Sequence, residues 1–434
     1  MALSQICQAR QRRNDATHPL THTYHAPPSP SLSKSCSGEN QLIPLYQPSF
    51  TQSDFDSVLD SLRSGCGTMG PKLLEFERQM AHKTRRTHAI GVNSGSLAIE
   101  ISLRALGIGP GDEVLLSAFA YSANVNSVLH VGATPVFVDV NSRTMNMDPV
   151  AAESKATPKT KAMLVAETFG NPAGFPDLIA LCSRLEIPMI ENGTEGLGST
   201  YGMDNVGRFG RIACFGFFAS RPITTGEGGM IVTHDDHLAA ACRAMRHQGR
   251  VDRISFPHQS MDLGTKMEHV YDGYDGRLPE MNAALGLSQL QRLDQTIARR
   301  AEVAQSYTKR LGGESDILLL NPPSECTMSW SNFVVRLSDR FTKDDRDQII
   351  DGMHRLDIGA ADWWPCAALL PHVRKITCHQ VGDFPLAERL SHRTIALPFY
   401  ENISEREIDD VCQTLTTLIG RVGASREEKK DIGE

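Results

Sequence analysis

The fold is decided by residues 89–106, which read AIGVNSGSLAIEISLRAL. Residues 89–93 form a short apolar run that is bounded at once by turn residues, which predicts a buried strand. The SGSLAIEISLRAL part predicts an amphipathic helix that begins directly after a Ser-Gly-Ser turn. Such a turn is a common helix cap, and it also lets backbone N–H groups and a hydroxyl point at an anion. The stretch therefore predicts a strand–turn–helix unit.

The same alternation of short apolar runs and amphipathic helices continues on both sides of this stretch. Further strands are predicted at EVLLS, TPVFVDV, KAMLVAE, IPMIEN, CFGFF and GGMIVT. Because helices separate most of these strands, the pattern predicts an α/β fold with a large, mostly parallel sheet. Sheets of this kind bind ligands at the carboxyl ends of their strands, where the loops converge.

The chain divides into two predicted domains and two tails. Residues 43–278 form a large α/β domain, residues 279–311 a long bridging helix, and residues 312–424 a small C-terminal α+β domain. Residues 1–42 are rich in Ser, Pro and His and have almost no aliphatic periodicity, so they are predicted to be disordered. Residues 425–434 form a second polar tail.

Composition excludes several classes of function. The 434 residues are 40% hydrophobic and 22% charged, with a formal net charge of −7, so no basic face for nucleic acid or an anionic membrane is expected. No apolar run reaches the length of a membrane span. The ten cysteines are scattered without metal-ligand spacing, which favours reduced thiols in a cytoplasmic protein and no metal site.

Many ordered segments resemble one family, the DegT/DnrJ/EryC1/StrS sugar aminotransferases. The resemblance covers about residues 43–420 and rests on IPLYQPSF, SGCGTMGPKLLEFE, NSGSLAIE, ALGIGPGDEVLLSAFAYSANVNSV, GATPVFVDV, FGNPAGFPDL, IPMIENGTEGLGSTY, FFASRPITTGEGGMIV and RLPEMNAALGLSQL. It implies the pyridoxal-phosphate (PLP) fold of aspartate aminotransferase, an active site at a dimer interface, and a role in amino-sugar, polysaccharide or antibiotic biosynthesis. Function does not follow from fold alone, so each cofactor position is compared separately.

Part of the implied cofactor pocket matches the family pattern. Gly95 and Ser96 match the turn that binds the cofactor phosphate, and Tyr121 matches an aromatic ring that stacks on the pyridine, although it could equally pack in the core. Glu195 fits a position that contacts the cofactor hydroxyl. Arg277 matches an arginine that the neighbouring subunit lends to the site.

Two substitutions fall on the positions that carry the family's chemistry. Arg221, in FFASRPITTGEGG, stands where the resemblance implies the lysine that forms a Schiff base with PLP. A guanidinium stays protonated and can neither form that imine nor act as an ordinary base. Asn192 stands where an aspartate would keep the pyridine nitrogen protonated, and an amide supplies no charge for that purpose.

Three further positions depart from the pattern in the same region. Gly216 replaces a serine that contacts phosphate, and Asp275 replaces an asparagine that the neighbouring subunit lends, where its charge would oppose a phosphate. Glu167 replaces a histidine in the loop before GNP. Residues 363–365, WWP, resemble a loop that borders the sugar pocket, or serve aromatic packing.

These substitutions leave three hypotheses. The first is a non-transaminating homologue: a degenerate partner subunit, a scaffold, or a protein that binds a nucleotide-sugar without a cofactor. The second is a Schiff-base-free, dehydratase-like deoxysugar enzyme that holds pyridoxamine phosphate (PMP) or PLP noncovalently. The third is ordinary transamination with a surrogate amine such as Lys266, since no lysine lies between Lys161 and Lys266. In each case the expected assembly is a homodimer or a heterodimer with an active paralogue.

Overall fold

The structure is a computed structural model that describes residues 42–251 and 268–431, with side chains up to residue 424. The predicted tail of residues 1–42 lies almost entirely outside the described residues. Nine strands come first along the chain: β1 (His88–Val92), β2 (Glu113–Ser117), β3 (Thr134–Val138), β4 (Thr160–Ala166), β5 (Met189–Asn192), β6 (Thr200–Tyr201), β7 (Asp204–Asn205), β8 (Ile212–Gly216) and β9 (Gly229–Thr233).

Seven of these strands form one sheet in the order β1-β9-β8-β5-β4-β2-β3. Strands β3, β2, β4, β5 and β8 run parallel, whereas β9 runs antiparallel to both of its neighbours, β8 and β1. The register pairs Ala166 with Asn192 and Asn192 with Cys214, so the carboxyl ends of β4, β5 and β8 lie at one edge. This large, mainly parallel sheet confirms the predicted α/β class.

Helices cover both faces of this sheet because its strands are apolar on both sides. They are α1 (Gln52–Arg63), α2 (Pro71–Lys83), α3 (Gly95–Ala105), α4 (Ser122–His130), α5 (Pro149–Lys155), α6 (Phe175–Leu185) and α7 (Asp236–Met245). On β9, Ile231 packs with α3 and α7, while its neighbours Met230 and Val232 pack with α2 on the other face. We call this part the large domain.

The predicted bridging helix is two helices, α8 (Glu280–Gln291) and α9 (Leu293–Leu311). Arg292 separates them with a backbone conformation (φ −109°, ψ 10°) outside the helical range. Its guanidinium donates to the Ser49 carbonyl at 2.6 Å and to the Asp54 carboxylate at 2.8 Å. These tertiary contacts stabilise the break, and the local sequence pattern carries no signal of them.

The small domain follows α9. Its strands are β10 (Ile317–Leu319), β11 (Cys326–Thr327), β12 (Phe333–Leu337), β13 (Ala361–Asp362) and β14 (Thr394–Leu397), and its helices are α10 (Lys343–His354), α11 (Pro371–Thr377), α12 (Pro385–Ser391) and α13 (Glu405–Asp431). Four strands form an antiparallel sheet in the order β10-β12-β14-β13, and β11 pairs with β6. Ile43 packs in this domain's core, and α13 continues through most of the predicted polar tail.

Helix α1 packs against the rest of the chain through its polar face. Asp54 and Ser61 are buried, and Ser57 donates to the Ala284 carbonyl of α8 at 2.9 Å. The spacing of Phe55, Val58, Leu59 and Leu62 predicts one apolar helical face. This face is exposed, with Phe55 at 53%, Leu59 at 45% and Leu62 at 56%. The helix therefore presents to the outside the face that a surface helix normally buries.

Candidate functional site

A cavity of about 480 Å³ lies at the carboxyl ends of β4, β5 and β8. The start of α3, the start of α4 and the segment after β8 enclose it, and two tryptophans of the small domain contribute to its wall. Six of the seven residues predicted to act in the site or to bind the cofactor line this cavity: Gly95, Ser96, Tyr121, Asn192, Glu195 and Arg221. Arg277 is not one of the lining residues.

One end of the cavity is formed by the first turn of α3. Ser94 caps this helix, because its hydroxyl accepts the Leu97 N–H at 3.1 Å. The remaining first-turn N–H groups of a helix have no partner within the helix, so they can bind an anion such as phosphate. A Cβ on Gly95 would lie 2.9 Å from the Gly216 Cα, so a larger residue at 95 would require the backbone to move. This end fits a phosphate.

Tyr121 lies at the mouth of the cavity and not in the core, since it is 53% exposed. Its ring centroid is 4.9 Å from that of Trp364, and the planes are tilted by 48°. Tyr46 and Phe218 form a second aromatic pair on the wall, with centroids 6.2 Å apart. Flat aromatic walls are suited to a planar ring or to the apolar face of a sugar.

Asn192, at the end of β5, is fixed by its neighbours. Its Nδ2 donates to Asn124 Oδ1 at 2.7 Å, and its Oδ1 accepts the Thr194 hydroxyl at 2.6 Å. These contacts make Nδ2 the donor and Oδ1 the acceptor of the Asn192 amide. A ring nitrogen beside Asn192 would meet a neutral amide and no carboxylate.

Arg221 lies on the cavity wall with its charge already neutralised. Its Nη1 donates to Glu195 Oε1 at 3.0 Å and to the Ser331 hydroxyl at 3.0 Å. The side chains of Arg221 and Glu195 are each 10% exposed, so this ion pair is largely shielded from water. Among the described residues, no group accepts a hydrogen bond from Arg221 Nε.

Glu195 receives donors at both carboxylate oxygens. In addition to Arg221, Asn332 Nδ2 donates to Oε1 at 2.8 Å. The Phe169 N–H donates to Oε2 at 2.9 Å, and Trp364 Nε1 donates to the same oxygen at 3.3 Å. Glu195 is thus committed to protein contacts, whereas the resemblance implies a contact with the cofactor hydroxyl.

Of the remaining predicted residues, Gly216 lines the cavity, whereas Arg277, Asp275 and Glu167 do not. Arg277 forms an ion pair with Asp275 at 2.5 Å and contacts His247 Nδ1 at 2.6 Å. Asp275 is therefore paired within the same chain. A Cβ at Gly216 would lie 3.3 Å from Thr194 Cγ2, so this position could take a serine with a small shift. Lys266 lies outside the described residues.

Glu167 directly follows β4 and is buried, and it does not line the cavity. No N–H or hydroxyl of the described residues donates to either of its carboxyl oxygens. Burial, and next the charge of the neighbouring Glu191, raise the pKa of Glu167 well above its usual range. Burial also raises the pKa of Glu191, although Glu191 accepts the N–H groups of Phe209 and Gly210 at 2.9 and 3.0 Å.

Sequence reasoning missed several residues that shape the site. Asn124 and Thr194 fix Asn192, while Ser331 and Asn332 reach Glu195 and Arg221 from the small domain. Asn124 lies three residues after Tyr121 on the first turn of α4, which is the one signal that could have indicated it. Ser331 and Asn332 are more than a hundred residues away in sequence, and nothing local marks them.

Comparisons with known proteins identify the family. The model of the DegT/DnrJ/EryC1/StrS aminotransferase family matches residues 48–416. Spore coat polysaccharide biosynthesis protein SpsC of Bacillus subtilis is 30% identical over 381 residues, covering 88% of this chain and 98% of its own. GDP-perosamine synthase of Caulobacter vibrioides is 32% identical over 382 residues, and this alignment covers 87% of this chain and 98% of the synthase.

A solved structure gives the same result at the level of the fold. Spr1654 of Streptococcus pneumoniae, assigned as a sugar aminotransferase, superposes in its PMP form with a TM-score of 0.82 at 27% identity, covering 88% of this chain and all of that one. The chain belongs to the DegT/DnrJ/EryC1/StrS aminotransferase family, whose members act in sugar or polysaccharide biosynthesis. Its fold is that of the PLP-dependent sugar aminotransferases.

The cavity fits one half of such a cofactor. The α3 end and the aromatic wall would hold the phosphate and the ring of PLP or PMP. The other half does not fit, because none of the described lining residues is a lysine and the side chain at the end of β5 is the neutral amide of Asn192. Among residues 42–251 and 268–431, no cluster is suited to a metal ion and no helix could cross a membrane.

Proposed function

We propose that this protein is a non-transaminating member of its family, a pseudoenzyme that retains the ligand cavity without the Schiff-base chemistry. One observation carries the proposal: Arg221, in the segment after β8, lines the cavity, and its guanidinium is paired with Glu195 at 3.0 Å. A paired, permanently charged guanidinium cannot attack a carbonyl carbon and cannot accept a proton.

The proposed ligand combines an anionic group with a planar or sugar ring. The first turn of α3 would take the phosphate, and Tyr121 and Trp364 would contact the ring. PLP, PMP and a nucleotide-sugar all have these parts. When PMP or PLP is bound, we expect it to be held noncovalently, with Asn192 as a neutral contact for the ring.

A Schiff-base-free dehydratase is the second candidate. It would need a residue in the cavity that takes up a proton. The observation that favours it is the carboxylate of Glu227, which is exposed at the cavity wall. Arg221 cannot fill this role, and the neutral amide of Asn192 weakens the electron sink that elimination requires. We therefore rank this function below the first.

We propose that the protein works as a dimer, either with a second copy or with an active paralogue. The exposed apolar face of α1, formed by Phe55, Leu59 and Leu62, supports this, since an apolar face of this kind is usually covered by a partner. Arg277, which does not serve its own cavity, would then be available to the partner's cavity. We also propose a cytoplasmic location, in keeping with the free cysteines of the described residues.

The proposal is tested by reverting two positions together, Arg221→Lys and Asn192→Asp. We expect the wild type to transfer no amino group from glutamate to a keto-sugar, and the double variant to gain PLP binding through an imine and measurable transfer. Amino transfer by the purified wild type would refute the proposal. Failure of the wild type to retain PMP in equilibrium dialysis would remove the second candidate, because that candidate requires bound PMP, whereas the first does not.

A further inference from the structure

Two asparagine side chains meet on the wall of the cavity, and one main-chain group fixes how both amides are oriented. Asn192, at the end of β5, and Asn124, in the first turn of α4, both line the cavity. The Thr194 main-chain N–H lies 3.3 Å from Asn192 Oδ1. Because a main-chain N–H can only donate, the amide atom that it faces must be the oxygen. The amide nitrogen of Asn192 therefore lies on the side of Asn124.

The orientation of the Asn124 amide follows from this. Asn192 Nδ2 lies 2.7 Å from Asn124, so the Asn124 atom that it faces must be the acceptor, Oδ1. Asn124 Nδ2 is left over, and within the described ranges no group accepts a hydrogen bond from it. The Asn124 side chain is 2% exposed. The cavity is therefore the place where an acceptor could reach this nitrogen.

Asn192 likewise offers a ligand a donor and not an acceptor. Its Oδ1 accepts both the N–H and the hydroxyl of Thr194, the latter at 2.6 Å, which uses the two lone pairs of that oxygen. Its Nδ2 carries two N–H groups, and Asn124 Oδ1 accepts one of them. The second N–H of Asn192 and the N–H groups of Asn124 Nδ2 form one donor cluster, which we call the asparagine pair.

We propose that the asparagine pair is a donor subsite for the ring of the ligand, and that it selects PMP or PLP with the ring nitrogen unprotonated. This inference rests on the proposed function, in which the ring contacts Asn192. An unprotonated ring nitrogen accepts an N–H from the pair. A protonated one would place its own N–H against those donors and leave a buried N–H unpaired, which is unfavourable.

The charged residues of the cavity wall do not supply the charge that would keep the ring protonated. Arg221 and Glu195 neutralise each other in an ion pair at 3.0 Å. Glu227 also lines the cavity, and among the described residues it makes no hydrogen bond with either asparagine. A ring held with its nitrogen unprotonated is a weak electron sink. The asparagine pair thus favours binding of the ring over chemistry on it.

The test uses the full-length wild type and PMP at a pH where free PMP shows both ring forms. The ultraviolet absorption of bound PMP distinguishes the protonated from the unprotonated ring, and isothermal titration calorimetry gives the affinity. A benzene analogue of PMP, with C–H in place of the ring nitrogen, is the matched ligand. We expect the unprotonated form in the complex, and about tenfold tighter binding of PMP than of the analogue, because only PMP has the acceptor.

Two variants exchange a donor for a charged acceptor. Asn192→Asp and Asn124→Asp should each shift bound PMP toward the protonated ring, since a nearby negative charge favours the cation. Asn124→Asp keeps an acceptor for Asn192 Nδ2, so it serves if the other variant does not fold. Asn126→Asp is the control. Asn126 lies on the same helix, contacts His372 and does not line the cavity, so its variant should bind PMP as the wild type does.

A protonated ring in the wild-type complex would overturn the inference. So would equal affinity for PMP and the benzene analogue, spectra that are the same in both aspartate variants as in the wild type, or no binding of PMP. None of these results touches the proposed function, because a non-transaminating protein need not bind a pyridine. Amino transfer from glutamate to a keto-sugar by the wild type, measured in parallel, would refute the proposed function and not the donor subsite.

Discussion

At the scale of single residues, the ion pair of Arg221 with Glu195 should contribute to stability as well as to function. Arg221→Met would leave the Glu195 carboxylate buried without its cation, which costs about 3–5 kcal/mol in comparable pairs. We expect a loss near 3 kcal/mol in urea unfolding, because Asn332, Phe169 and Trp364 still donate to Glu195.

The double variant R221M/E195Q is the control for this prediction. If the two side chains act as a pair, its loss of stability should be smaller than the sum of the single losses by about 1–3 kcal/mol. Additive losses would show that the ion pair contributes nothing of its own to the folded state.

Glu167 provides a pH-dependent prediction. Its pKa is raised in the folded state, so its stabilising effect is fully present below the unfolded pKa, near 4.3, and is lost as pH rises through the folded pKa. Each pKa unit between the folded and the unfolded state changes the free energy of unfolding by about 1.4 kcal/mol. The wild type should therefore lose stability relative to Glu167→Gln as pH rises from about 4.5 to 8, measured by urea unfolding.

The matched control is Glu153→Gln, because the Glu153 side chain is 51% exposed and lies on a surface helix. This variant should follow the wild-type pH profile. A Glu167→Gln profile parallel to that of the wild type would contradict the buried, protonated carboxyl that the structure indicates.

The residue types at the site were predictable from sequence, but their partners were not. Arg221 and Asn192 stand out because the chemistry of a guanidinium and of an amide is the same in any fold. The commitment of Glu195 to four donors depends on segments that meet only after folding, from Phe169 to Trp364. For the same reason the sequence could not show that Arg277 pairs with Asp275.

At the scale of elements, helix α1 carries a prediction about assembly. A charge at Leu59, in the centre of its exposed apolar face, should weaken a dimer, because burying such a side chain contributes about 1.5–3 kcal/mol. Leu59→Glu should raise the dissociation constant at least tenfold in analytical ultracentrifugation. Val150→Glu, at a 75% exposed apolar residue of α5, is the control and should have no effect.

A monomeric wild type, or equal effects of the two substitutions, would show that α1 is not an interface.

The helix also illustrates what periodicity can predict. The spacing of Phe55, Leu59 and Leu62 indicates a helix with one apolar face, and a helix is present at Gln52–Arg63. Periodicity does not say whether that face meets the protein's own core or another chain, and here the buried Asp54 faces inward.

At the scale of the whole molecule, the cavity between the domains predicts ligand-dependent stability. A ligand that binds only the folded state, at a concentration 100 times its dissociation constant, raises the free energy of unfolding by about 2.7 kcal/mol. We expect PMP, PLP or a nucleotide-sugar to raise the melting temperature by a few degrees in differential scanning fluorimetry. Ser96→Asp places a negative charge at the first turn of α3 and should abolish the shift, while Ser154→Asp on α5 should preserve it.

A ligand-induced rise in melting temperature that persists in Ser96→Asp would place the anion somewhere other than α3.

The overall architecture itself follows from the sequence, since the alternation of strands and helices predicts the large sheet, and the ordered motifs resemble those of the family. The break of the bridging helix at Arg292 does not follow, because contacts with Ser49 and Asp54 stabilise it.

The central claim is that this family member does not form a Schiff base with PLP. It is tested most directly by incubating the purified wild type with PLP, reducing with borohydride, mapping every lysine by mass spectrometry, and assaying amino transfer from glutamate to a keto-sugar. We predict that PLP remains removable by dialysis, that no lysine is labelled stoichiometrically, and that no transfer occurs. Stoichiometric labelling of one lysine, such as Lys266, together with catalytic transfer would contradict the account.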